Sequence, residues 1–156
     1  MRPLSDRAFN QRRATIVARL DRLGRLDLRD FGERRPVRAV RIDLAAPGQI
    51  DNPALVDDAR FRYEEWFRRS GREWVRVGYN YSYFDLARGG WRGYHLHPLP
   101  GSEEPVPHAK CVLADGTGTQ RHYEAHELEL LAAHDEFEAQ YASGRPIECR
   151  GLRPID

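Results

Sequence analysis

At 156 residues the chain has the length of one domain and can bury a core without staples. Its 40% hydrophobic and 31% charged residues exclude a disordered or low-complexity chain. A net charge of +1 excludes a global field for nucleic acid, and no run approaches the eighteen apolar residues of a membrane span.

The charge is unevenly placed. Residues 1–41 carry twelve arginines against five acids, while residues 101–148 carry ten acids against Lys110, Arg121 and Arg145. Solvated helix faces produce such polarity, and so would a surface that steers a partner or orients a homodimer. Cys111 and Cys149 have no ligand spacing, and two cysteines in this length point to a reducing compartment. The start, MRPLSDRAFNQRR, has no apolar h-region, so the expectation is a cytoplasmic protein with no membrane association.

Ser5 is placed to cap a helix from about Asp6 to Leu23, with Phe9, Ile16, Leu20 and Leu23 as its stripe and Gly24 as its stop. FGERRP reads as a polar connection, and Val37–Leu44 alternates as a strand. Asn52-Pro53 looks like a cap before a second helix, Pro53–Ser70, on which Leu55, Val56, Ala59, Tyr63, Trp66 and Phe67 share one side. Phe61 does not fit that helix. The competing reading makes Ala59–Phe67 a strand that turns through Arg-Ser-Gly into the next one.

Glu73–Leu86 is the clearest strand, with Val75, Val77, Tyr79, Tyr81 and Tyr83 expected on a core face beneath a helix. ARGG leads into a strand at Trp91–Pro98, and a proline-rich acidic loop into another at His108–Ala114. DGTGT is a turn, and Gln120–Tyr123 reads as a short strand. A last helix runs from about Ala125 to Ala142, with Leu130, Leu131, His134, Phe137, Glu138 and Tyr141 near one stripe. Residues 144–156 read as an irregular, partly mobile tail. The fold expected is a single α+β domain, a mostly antiparallel sheet of four to five strands with three helices (N-terminal, middle and C-terminal).

The histidines carry the functional signal, because all six follow residue 94. His95 and His97 lie two apart on a strand and share a face, opposite Tyr94 and Leu96. By the same parity His108 and Lys110 avoid the apolar side of their strand. Convergent imidazoles suit acid–base work and metal binding alike, and two surface histidines on a hairpin are the plain alternative. His122 and His126 align only if a helix covers both, and HYEAH is not the H-E-x-x-H of metalloproteases. His134 falls on the apolar stripe and reads as a core histidine. Arg88 and Arg92, near the Gly-Gly turn, are candidate phosphate ligands.

Gly89-x5-His95-x-His97-x5-Glu103 resembles the first metal motif of cupins, with Glu103 late and the closing glycine missing. That resemblance implies a metal-binding module, and the metal-binding alternative would hold Zn or another divalent transition metal through His95, His97 and His108 with His122 or His126. The succession GYHLHPL, VPHAKCVLADG and EAHELELLAAH, over about Tyr79 to Phe137, resembles small bacterial toxin–antitoxin proteins of the TumE type. Here Pro107-His108-Ala109-Lys110 stands for that family's P-H-x-H, with lysine replacing the second histidine. The resemblance implies a cytoplasmic toxin-like component acting on RNA or a nucleotide and paired with an antitoxin.

The leading expectation is therefore a ribonuclease-like activity without a metal cofactor. His95, His97 and His108 would divide general acid and base work, with Arg92, Lys110 and Arg88 holding substrate. The alternatives are the metal-binding module and a non-enzymatic partner-binding domain.

Overall fold

Thirteen residues, Glu73–Asp85, form the central strand of a sheet whose two faces have opposite fates. A computed structural model describes residues 2–20, 25–34, 37–46, 58–118 and 121–155, with no side chains described for 25–34, 37, 45 and 46. Its elements are β1 (Leu4–Ser5), α1 (Asp6–Leu20), β2 (Arg25–Arg34), β3 (Val37–Ala46), β4 (Ala59–Ser70), β5 (Glu73–Asp85), β6 (Trp91–Pro98), β7 (Pro105–Val112), β8 (Tyr123–Glu124) and α2 (Leu130–Ala142). Strands β2 to β8 pair in chain order as an antiparallel meander, and β1 adds to β5 through Leu4↔Trp74. The α+β class and antiparallel sheet are as expected. Among the described residues there are two helices rather than three, and eight strands, two of them only two residues long.

The largest correction falls on the expected middle helix. Residues 59–70 of it are β4, while Asn52, Pro53 and the rest up to Asp57 lie outside the described residues, as do Gly24 and Gln120. Phe61, Tyr63, Glu65 and Phe67 alternate inward and are buried, and Arg60, Arg62, Glu64 and Trp66 face the other way. The aromatic content favours a strand, and Phe61, the misfit on a helix, is a period-two residue. Gly71, with φ of 61°, allows a two-residue turn that pairs Ser70 with Glu73. The stretch taken as a polar connection lies within and just after β2, which pairs with β3.

One face of the sheet holds the core. Val40, Ile42 and Leu44 of β3, Phe61, Tyr63 and Phe67 of β4, Tyr79, Tyr81 and Tyr83 of β5, and Tyr94 of β6 are buried there. Helix α1 covers part of it with Phe9, Ile16 and Leu20, and α2 covers another part with Leu130, Ala133, His134 and Phe137. Phe9 meets Phe67 edge-on at 4.9 Å, and Phe137 stacks on Tyr94 at 5.7 Å. The tyrosines at 79, 81 and 83 pack beneath helices, as their alternation predicts.

A register shift between Trp66 and Phe67 leaves Val77 without a direct partner on β4. This bulge turns Arg76 inward, so Arg76 and Trp74 share the tyrosine face, and Val75 and Val77 do not. The buried Arg76 guanidinium donates to the Tyr81 hydroxyl (2.8 Å), to Glu65 (3.2 Å) and to Glu127 (2.6 Å). Arg12 of α1 forks onto the same Glu65 carboxylate at 2.5 and 2.8 Å. This network also explains why α2 starts at Leu130 and not near Ala125. The preceding residues are held extended, Glu127 and Glu129 facing Arg76 and the Leu128 amide donating to the Tyr79 hydroxyl at 3.2 Å.

The C-terminal segment is irregular but fastened. Cys111 of β7 and Cys149 form a disulfide, Ile147 is buried, and the Ile155 amide donates to the His122 carbonyl at 3.0 Å. The bond removes the argument for a reducing compartment that rested on cysteine spacing. No helix among the described residues is long and apolar enough to cross a membrane. Closing a loop with sequence separation 38 restricts the unfolded chain, so Cys149→Ser is expected to lower stability by about 2–4 kcal/mol. Denaturant unfolding of the oxidised wild type beside the variant checks this, and equal midpoints would contradict it.

Candidate functional site

The other face of the sheet carries no helix among the described residues, and the histidines stand on it. Direct pairing puts Asn80 of β5 beside His95 of β6, His95 beside His108 of β7, and His108 beside Glu124 of β8. Opposed residues of an antiparallel pair project to the same side, so this row crosses four strands on one face. His97 lies two residues beyond His95, and Lys110 two residues beyond His108, opposite Gly93.

The three rings are in contact. Centroids lie 5.3 Å apart for His95 and His108, 4.5 Å for His97 and His108, and 5.7 Å for His95 and His97. One nitrogen from each falls within 4.8 Å of the other two. His97 is exposed, whereas His95 (7% exposed) and His108 (0%) are buried by their neighbours. The plain alternative of two surface histidines on a hairpin therefore fails for His95 and holds in exposure only for His97.

Backbone carbonyls fix the orientation of two rings. His108 Nδ1 lies 2.9 Å from the Val106 carbonyl, and His97 Nδ1 lies 2.8 Å from that of Pro98. A carbonyl only accepts, so both Nδ1 atoms carry the proton and each neutral ring presents a bare Nε2. Nε2 of His108 and of His95 are buried with no hydrogen-bond partner among the described residues. Burial, then the proximity of His108 and His97, pushes the His95 pKa down to about 3. Burial lowers that of His108 to about 4, against the carbonyl of Val106, which raises it.

Gly93 makes room for this arrangement. A Cβ there would lie 2.8 Å from His95 Nε2, 2.8 Å from the Tyr81 carbonyl oxygen and 3.0 Å from Ser82 Oγ. The His95 ring thus lies over a glycine, beside Trp91, whose ring centroid is 6.0 Å away. Phe84 continues the row at 6.0 Å from Trp91, and His122 closes its other end at 5.0 Å from His108. Sequence reasoning missed Phe84, Trp91 and Gly93. The period-two parity with His95 carries the signal for Gly93 and Trp91.

The remaining candidates divide. Lys110 belongs to the histidine face. Arg92 does not join them, because it is on the helix-covered side, at 2.9 Å from both the Tyr94 hydroxyl and Glu136. Arg88 is in the turn after β5, where its amide donates to Asp85 Oδ1 at 2.8 Å. His122 and His126 both precede α2, so no helix aligns them, and His126 is outside the three-histidine group. His134 is a core histidine, fully buried and 2.7 Å from the Tyr63 hydroxyl. No protein-family model, curated protein or solved structure matches the chain.

Two outcomes follow from the packing. His95 and His108 bind protons more weakly folded than unfolded, so the unfolded chain alone gains them as pH falls below the ordinary value of 6.5. Stability is then full above that value and declines toward pH 4, by at most about 1.4 kcal/mol per pH unit for each histidine. Melting temperatures of metal-free protein should fall over this window, and a flat profile would contradict the buried neutral pair. Gly93→Ala should displace the His95 ring and cost about 1–3 kcal/mol by overpacking, read from denaturant melts.

Proposed function

We propose that the open sheet face is a binding and reaction surface for single-stranded RNA, in a toxin-like protein acting through its histidines. The observation that carries this reading is the continuous row of rings on the uncovered face, Phe84–Trp91–His95–His108–His122, with Lys110 and His97 beside its histidine end. Single strands are held by base stacking on rings, with cations placed for the backbone. Arg60 is exposed on the same face, and Arg62 lies over Phe84 at 5.9 Å while donating to Asp43 at 2.8 Å. The resemblance of residues 79–137 to TumE-type proteins points to the same substrate class and adds an antitoxin as cellular partner.

In this reading the buried neutral imidazoles serve as bases and the exposed groups meet the phosphate. His95 and His108 offer lone pairs at neutral pH, with the exposed His97 on one flank of the pair and the half-buried Lys110 on the other. Arg92 has no part in it, since it faces the helices.

The test pairs binding with growth. Trp91→Ala should weaken a labelled single-stranded RNA by about 5–150-fold, the loss of one stacked base, with an unchanged fold by circular dichroism. His97→Ala should lower cleavage by a factor of about 10²–10³, the loss of one group that stabilises the phosphate, and relieve growth inhibition on induced expression. Wild-type protein that neither binds RNA nor inhibits growth would overturn the reading.

A further inference from the structure

The same histidines have a property that RNA binding does not require. We infer that His95, His97 and His108 form a site for one divalent transition-metal ion of the zinc, cobalt or nickel class, with a coordination position left open toward solvent. The inference rests on the histidines' placement and hydrogen bonding and is independent of the RNA reading.

Three features carry it. The first is convergence, since one nitrogen from each of three imidazoles lies within 4.8 Å of the others. Zinc bonds of about 2.05 Å in a tetrahedron set ligand nitrogens roughly 3.3 Å apart, so the widest pair must close by about 1.5 Å. His97, the exposed member of the three at the strand end, is the ring with the most room for that adjustment. The second is pre-orientation. Nδ1–H of His108 and of His97 donates to a backbone carbonyl, the outer hydrogen bond that directs Nε2 toward a metal and fixes the required tautomer. The third is a pair of polar atoms, Nε2 of His95 and His108, which are buried and have no hydrogen-bond partner among the described residues. A buried ring nitrogen without a partner costs free energy, and an ion would offset that cost.

The donor set selects the ion. Three neutral imidazoles suit zinc, cobalt and nickel and disfavour calcium and magnesium, which take oxygen ligands. Three protein ligands are also fewer than the four of a closed structural zinc site, so the fourth position would hold water or a substrate oxygen. The cysteines cannot close it, because Cys111 projects to the opposite face of β7 and is joined to Cys149.

The experiment titrates oxidised, chelator-treated full-length protein with Zn²⁺ by calorimetry and with Co²⁺ by visible absorption. The expected result is one ion per chain and cobalt bands of tetrahedral intensity. His97→Ala, exposed and therefore compatible with folding, should weaken Zn²⁺ by at least about 100-fold, the upper range for losing only an outer partner. His126→Ala should leave affinity unchanged. No saturable binding, or His97→Ala protein that binds as wild type does, would overturn the site. Metal binding at these residues with no RNA affinity would leave the site standing and remove only the RNA reading.

Discussion

Every feature of the candidate site depends on strand register, and the aromatic core sets the register. Tyr81 sits between Tyr63 of β4 and Tyr94 of β6, and Tyr83 pairs with Phe61. Shifting one strand by a single residue would send these rings to solvent and bring the opposite row inward. The burial that α1 and α2 impose on one face therefore dictates what stands on the other. His95 faces outward because Tyr94 and Leu96 face inward, and it meets His108 because Ala109 pairs with Tyr94.

The polar interior reinforces the same register. Glu65 is buried on the core face and receives Arg12 from α1, Arg76 from the bulged part of β5, and the Tyr81 hydroxyl. Isolated, such a carboxylate would be costly, but paired and hydrogen-bonded it joins a helix to two strands. Arg76 also reaches Glu127, in the extended segment before α2. On the histidine face, Nε2 of His95 and of His108 have no hydrogen-bond partner among the described residues.

Much of this was legible in the sequence, for local reasons. The alternation of Tyr79, Tyr81 and Tyr83 gave a strand with a covered face, and the H-x-H spacing gave two imidazoles on one side. The parity of His108 and Lys110 against Ala109 and Cys111 predicted the shared surface. What failed depended on partners distant in the chain. Leu55, Tyr63, Trp66 and Phe67 satisfy a helical period as well as β4 satisfies period two, and only pairing with β3 and β5 decides between them. The Val77 bulge, the burial of His95 and His108, and the Cys111–Cys149 bond all arise from cross-strand or long-range neighbours. Arg92 was misplaced by proximity, because a residue three away from His95 on a strand belongs to the other face.

The central claim is that the fold presents bare imidazole nitrogens on the sheet face that no helix of the described residues covers. Long-range ¹H–¹⁵N correlation spectra of the histidine rings test it directly, because they report which nitrogen carries the proton. At neutral pH the account predicts His108 as a neutral ring protonated at Nδ1, with Nε2 unprotonated and shifting when Zn²⁺ is added. A His108 ring protonated at Nε2, or doubly protonated, would contradict it.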